Sequence, residues 1–440
     1  MSLEFRPPFQ MSYQIGVLVA ANAIRDAYLV VDGPNCTMFR ASHLQGNHDW
    51  NSDLLRADGY HRVADTDATT ERLAAGDERL LKERLGQVIT RSDCGLVLLS
   101  AMSPAAITGR QYDRQVRELR AASDRPVAFV PSGSLIAGWL AGYAAVLEAL
   151  VEALPWPGGV GLEEDRVAVV GHLMHRNEAD LQADVTELGR LLRGLGLTPA
   201  GCWLDGGSLA GLLEVARAGT VVSLPYGRAA ARGLARRTGA RLVECALPLG
   251  LDGCRRFLEQ VAVATGREQS LERLLDGEFR RSAGRMKWLL PNALLGKRIA
   301  LVGDPHATSA LAHALAELGC QVPLVVYWAE SSTVEPGERD VPGRLVIDPD
   351  PEQLGQAFEV ELRGAGLDLV VTHAHALSYL AHSLVHQRVP FLEWGFPAYH
   401  THALVEAANL GFQGTLRLVE RVANALGQQA VISANQREPR

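Results

Sequence analysis

The sequence contains no CxxC pair, no basic block and no run of about 18 uncharged apolar residues. Each absence removes a class of protein. Without CxxC there is no self-contained zinc or ferredoxin-type site. Six cysteines scattered over 440 residues (36, 94, 202, 245, 254 and 320) do not make a disulfide framework either. The formal net charge of −7, with no cluster of Lys and Arg, argues against nucleic acid or an anionic membrane as partner. Missing apolar runs, and an N-terminus lacking the charged-then-apolar layout of a signal peptide, lead to the expectation of a cytoplasmic protein. Neither GxGxxG nor GxxxxGK[ST] occurs, so no nucleotide fingerprint is present, and no HExxH marks a metal site.

What remains is ordinary globular composition, 47% apolar and 21% charged, in a chain too long for one core. Short aliphatic runs ending in Gly, Ser or Pro ("AYLVVDG", "GLVLLSA", "PVAFVPSG") alternate with helical stretches such as "DERLLKERLGQVI" and "YDRQVRELRAA". That pattern predicts buried parallel strands joined by crossover helices. Gly/Pro-rich "ALPWPGGVGLEED" (153–165) and the segment 286–297 break the rhythm, and similar openings follow them: "RVAVVG" at 166 and "KRIALVG" at 297. The expected fold is α/β, with three doubly wound Rossmann-like domains on parallel sheets, spanning residues 1–157, 158–290 and 291–440.

Ligands of such sheets bind beyond the carboxyl ends of the strands, which directs attention to a few residues. Cys36 follows the first strand, behind the turn Asp32-Gly33-Pro34-Asn35, and Cys94 stands at the start of a later strand. Each reads either as a ligand or as a small packing residue. Cys202, Cys245, Cys254 and Cys320 lie in or beside apolar segments and read as structural. A cubane iron–sulfur cluster normally needs four thiolates, so any cluster here would need ligands from another subunit. "VGDPHATSA", "VGHLMHRNEAD" and "DGGS" read as strand-end turns. His373 and His375, with His400 and His402 further on, read as metal ligands, proton donors near a substrate, or solvated loop residues.

The C-terminal block, with Thr372-His373-Ala374-His375, Val389-Pro390, Gly395-Phe396-Pro397 and Gly411-Phe412-Gln413-Gly414, resembles that of nitrogenase component 1 subunits, most closely the β-type. The likeness runs back through "LLGKRIALVGDP", "SDCGLVLLSAMSPAAITGRQYD", "DTDATTERLAAGDERLLKERL" and "GPNC". The last matches the turn of the family's first P-cluster cysteine. No cysteine stands near His61 to Val63, where the family has its second, and Cys94 falls before the turn of the third. The resemblance therefore implies a single [4Fe-4S] cluster shared between subunits rather than a full P-cluster. Cys36 would be this chain's ligand, with Cys94 as a possible second in a homodimer. It implies an α-type partner in an α2β2 assembly, or the homodimer, and a separate P-loop iron protein that hydrolyses ATP and delivers electrons. His373, His375 and His402 become candidates for contact with a small-molecule or tetrapyrrole substrate. No cysteine matches the ligand of an iron–molybdenum-type cofactor, since Cys320 lies in a helix–strand connection. The alternatives are an N-type scaffold subunit for nitrogenase cofactor assembly, and a cluster-free α/β binding protein.

Overall fold

The computed structural model describes residues 11–133, 135–157 and 161–435, with side chains to 428. Residues 158–160, inside the first expected domain boundary, lie outside the described residues. The aliphatic runs are strands, and every pair of neighbours is parallel. The first sheet has the order β2-β1-β3-β4, built from β1 (Ala27–Asp32), β2 (Val63–Asp65), β3 (Leu96–Ala101) and β4 (Val127–Val130). The second, β6-β5-β7-β8, uses β5 (Glu163–Val170), β6 (Thr198–Cys202), β7 (Ala218–Ser223) and β8 (Arg241–Glu244). The third, β11-β10-β9-β12-β13, contains β9 (Ile299–Gly303), β10 (Leu324–Tyr327), β11 (Arg344–Ile347), β12 (Leu369–Thr372) and β13 (Phe391–Glu393). "RVAVV" and "IALVG" thus become β5 and β9, interior strands of their sheets.

In each sheet the chain winds first to one side of its opening strand and then to the other. The topological switch points therefore lie between β1 and β3, between β5 and β7, and between β9 and β12. β1, β3 and β9 are buried at every position, which is why they read as continuous apolar runs and not as alternating ones. Crossover helices bury one stripe. Arg79–Ile89 turns Leu81, Leu85, Val88 and Ile89 onto Tyr28, Val30, Val97 and Leu99 of the first sheet.

By its internal contacts the chain divides into two compact units. One comprises Gln10–Glu178 and Leu197–Glu244, with the first two sheets; the other comprises Ala179–Gly196 and the chain from Cys245 onward, with the third.

Within the first unit the helix Tyr13–Asn22 is buried along its whole length and crosses the helix Trp139–Ala153 at two glycines. A Cβ on Gly16 would meet the Trp139 carbonyl oxygen at 1.8 Å, and one on Gly142 the Tyr13 carbonyl oxygen at 2.0 Å. The two backbones approach so closely that only glycine fits on either side. Gly142→Ala is expected to cost about 2 kcal/mol or more in urea unfolding, because backbone has to move. Gly86→Ala, in the helix Arg79–Ile89 with nothing near its added methyl, is expected to stabilise by about 0.5–1 kcal/mol through propensity alone.

Candidate functional site: the carboxyl edges of two sheets

At the first switch point β1 ends in Asp32, which is fully buried and would be unstable there as an isolated charge. Its carboxylate accepts from Arg110 Nη1 (2.8 Å), from the Tyr112 hydroxyl (2.8 Å) and from the Thr66 hydroxyl (2.9 Å). Arg110 is itself 4% exposed and also donates to the Asp77 carbonyl. Burial and the neighbouring Asp32 push the Tyr112 hydroxyl pKa upward, so it stays a donor. The same Thr66 oxygen accepts from the Gly33 N–H (3.0 Å), and Gly33 lies at φ +153° against the Met102 side chain. Asp32, Thr66 and Arg110 thus clamp the Gly33-Pro34-Asn35 turn from below.

Above that clamp Cys36 is exposed, on the first residue of the helix Cys36–Asn47. Backbone N–H groups of a helix's first turn have no intrahelical partner and favour negative charge. The same sheet edge carries exposed apolar side chains: Phe39 (77%), Ile107 (74%), Leu135 (73%) and Ile136 (88%) follow β1, β3 and β4.

Cys94 does not join Cys36. It precedes β3, whose Leu96 pairs with Ala27 at the opposite end of β1, while Asp32 pairs with Ala101. Six paired positions at about 3.3 Å each set the two thiols roughly 20 Å apart on opposite edges of the sheet. Cys94 is buried in the core with its Sγ 3.5 Å from the Leu96 carbonyl oxygen, and burial pushes its thiol up to about 11. Cys202, Cys245, Cys254 and Cys320 are also buried.

In the same unit, sequence reading passed over a buried imidazole pair. His48, at the C-terminal end of the Cys36 helix, places its Nε2 2.9 Å from the His175 carbonyl oxygen and 3.2 Å from His175 Nδ1. Burial, with His48 and Arg176 nearby, holds the His175 pKa well below its ordinary value. Asp49 secures the contact by accepting from Asn22 Nδ2 (2.7 Å) and from the Asn177 N–H (2.9 Å). "DGGS" forms a tight turn in which Asp205 Oδ1 accepts from the Gly207 N–H at 2.9 Å.

The third sheet gathers its own set at the β9/β12 switch point. Asp304, following β9, caps the helix Pro305–Glu317 by accepting from the His306 and Ala307 N–H groups, each at 3.0 Å. His306 Nδ1 lies 2.6 Å from Glu338 Oε1, both groups nearly buried. Burial opposes charge on His306, but the ion pair with Glu338 overrides it and raises the pKa. His373 is driven the other way. It is the N-cap of the helix Ala374–Gln387, its Nδ1 accepting from the Ala376 N–H at 3.2 Å, and burial lowers its pKa to about 3, with His375 adding to the effect. His375 packs edge-on against Trp328 at 5.9 Å and Tyr379 at 5.7 Å. His375 and His400, not His402, line a cavity beside this helix; His402 is half-buried in the following loop. Neither the His306–Glu338 pair nor the Asp32–Arg110 pair has a sequence signal, since the partners stand 32 and 78 residues apart.

Comparison with known proteins completes the description. The family model for nitrogenase component 1 type oxidoreductases matches residues 12–427. The chain belongs to that family. Its solved relative "Nitrogenase Cp1 at pH 6.5" superposes with a TM-score of 0.78 over 98% of this chain and 94% of that one, at 16% identity, which establishes the nitrogenase component 1 fold. The nitrogenase molybdenum-iron protein beta chain of Clostridium pasteurianum is 26% identical over 191 residues, 41% of this chain and 38% of that protein. The match thus spans well under half of that relative's length. The nitrogenase iron-molybdenum cofactor biosynthesis protein NifN of Bradyrhizobium diazoefficiens (strain JCM 10833 / BCRC 13528 / IAM 13628 / NBRC 14792 / USDA 110) is 22% identical over 95% of this chain and 88% of its own length. Nitrogenase-family members bind iron–sulfur clusters and work with partner subunits and an iron protein. Among the described residues no helix is long and apolar enough to cross a membrane.

Two outcomes follow for residues of this nitrogenase-type chain. Asp32→Ala leaves Arg110 buried without its counter-ion and is expected to cost about 3–5 kcal/mol in chemical unfolding, most of it recovered in the double variant Asp32→Leu/Arg110→Met. His373 has a folded pKa below its unfolded one, so the native state resists protonation and loses stability as pH falls from about 6.5 toward 3. In His373→Asn, which keeps a capping oxygen, thermal melts between pH 7 and pH 4 are expected to show a shallower loss than in the wild type.

Proposed function

We propose that this chain is one subunit of a nitrogenase-like, two-component reductase, in which Cys36 contributes a single ligand to a [4Fe-4S] cluster shared with an α-type subunit. The observation that carries this reading is Cys36 itself: an exposed thiol on a clamped turn at a switch point, on a sheet edge where Phe39, Ile107, Leu135 and Ile136 are also exposed. Among the described residues no group of three or more His, Cys, Asp or Glu side chains converges to hold a metal. A four-thiolate cluster therefore fits this chain only as a group completed by another subunit. Bound, such a cluster supplies one-electron transfer; the chain's own part is to present one sulfur in fixed register and to bury apolar surface around it. Electrons would come from a separate ATP-hydrolysing iron protein, consistent with the lack of a nucleotide fingerprint in this sequence. Cys94, buried on the far edge of the sheet, is left out of the ligand set, which favours a heteromeric α2β2 assembly over the homodimer. Of the three late histidines, His375 is assigned to ligand contact and His373 to helix capping.

The near full-length alignment with a NifN favours a second reading, in which the same subunit carries a cofactor during assembly. Both readings use Cys36 in the same way. In protein purified anaerobically with its co-expressed partner, Cys36→Ser is expected to lose the visible iron–sulfur absorbance and most of its iron; undiminished iron would rule Cys36 out as a ligand. Added iron protein and ATP then separate the two, since a reductase turns over substrate while a scaffold releases its cargo to an acceptor.

A further inference from the structure

The outer edge of the first sheet holds a cleft of about 550 Å³ that none of the roles above employs. β2, the last strand of that sheet, contributes Val63, Ala64 and Asp65 to its lining. Met38 of the helix Cys36–Asn47 joins them, as do Arg84 and Val88 of the helix Arg79–Ile89. Met38, Val63, Ala64 and Val88 give the cleft an aliphatic lining beside its charges.

Those charges are of opposite sign and do not meet. Asp65 is 8% exposed, and its carboxyl receives the Met38 and Asp67 N–H groups, yet Oδ2 is buried with no hydrogen-bond partner. A buried carboxylate oxygen without a donor is costly, and burial raises the Asp65 pKa, with the exposed Asp67 carboxylate adding to the rise. Arg84 is near enough to oppose that rise, but among the described residues no ion pair joins it to Asp65 or to any other carboxylate. Its Nη1 donates only to Gln87 Oε1, at 3.1 Å.

Arg91, the other cation of the cleft, is already committed. It donates to the Tyr28 hydroxyl (2.9 Å) and to Asp93 (3.2 Å), and it stacks over the Tyr60 ring. An acceptor lacking a donor, a cation lacking a carboxylate and an aliphatic lining match a ligand that carries both charges on one small apolar frame. A peptide terminus offers one of those charges and not the other.

We propose that this cleft binds a free α-amino acid with an aliphatic side chain, its ammonium meeting Asp65 and its carboxylate meeting Arg84. The site does not depend on the assignment of Cys36.

L-Norleucine, hexanoate and pentylamine, titrated calorimetrically into the full-length protein, share one hydrocarbon chain and differ in the charges they carry. L-Norleucine is expected to saturate one site, and each singly charged probe to bind weaker by about tenfold or more. Asp65→Asn keeps a carbonyl for the Met38 and Asp67 N–H groups and is expected to reduce L-norleucine to the level of hexanoate. Arg84→Gln is expected to reduce it to the level of pentylamine. The absence of saturable L-norleucine binding to the wild type overturns the proposal. So does equal affinity for the three probes, or either variant binding L-norleucine as the wild type does. If Asp65→Asn fails to fold, Arg84→Gln decides by itself, and unchanged L-norleucine affinity in that variant overturns the proposal equally.

Discussion

The buried contact of Asp32 with Arg110, Tyr112 and Thr66 is the constraint from which the Cys36 region takes its form. A charge at the carboxyl end of a central strand has no water to stabilise it, so it persists only with a full set of donors. Those donors come from the segments after β2 and β3, and recruiting them ties both crossovers to the turn that follows β1. Gly33 is then pressed against Met102, and Pro34 and Asn35 lead into a helix whose first residue is Cys36. The thiol is outside the core, yet its backbone is fixed from inside it.

The third sheet applies the same topology to different chemistry. Its switch point holds two imidazoles within one edge that burial affects alike and neighbours affect differently. Glu338 supplies His306 with a carboxylate partner and its pKa rises; His373 accepts from a helix N–H, packs edge-on against Trp328 and faces a second histidine, and its pKa falls. Desolvation alone would have lowered both. Carboxylates beside the ring, Glu338 foremost with Asp304 and Glu335 behind it, decide the sign at His306.

Family membership limits what such an edge has to provide. The chain belongs to the nitrogenase component 1 type oxidoreductases, and on the reading proposed above it would share its work with another subunit and a separate iron protein. On the reading proposed above, the exposed Cys36 thiol and the apolar side chains sharing its edge would face another subunit.

Much of this was legible in the residues alone. Runs such as "AYLVVD" and "LVLLSA" declare buried parallel strands because both faces are covered, and the turn chemistry of Asp32-Gly33-Pro34-Asn35 announces an exposed residue behind it. The helix Tyr13–Asn22 left no such trace, being buried on every side and so lacking an amphipathic period. Local pattern also placed Cys94 at a strand's start, but the register between β1 and β3 was needed to set it on the opposite edge from Cys36. His373 looked like its neighbour His375 until the helix after it required a cap. By itself the sequence determined the strand-and-helix alternation and the turn that exposes Cys36, because those depend on short-range sterics and on which side chains avoid water. Only the tertiary structure decided which charges meet, as Arg110 meets Asp32 and Glu338 meets His306, because pairing across a buried sheet edge depends on distances that chain spacing does not encode.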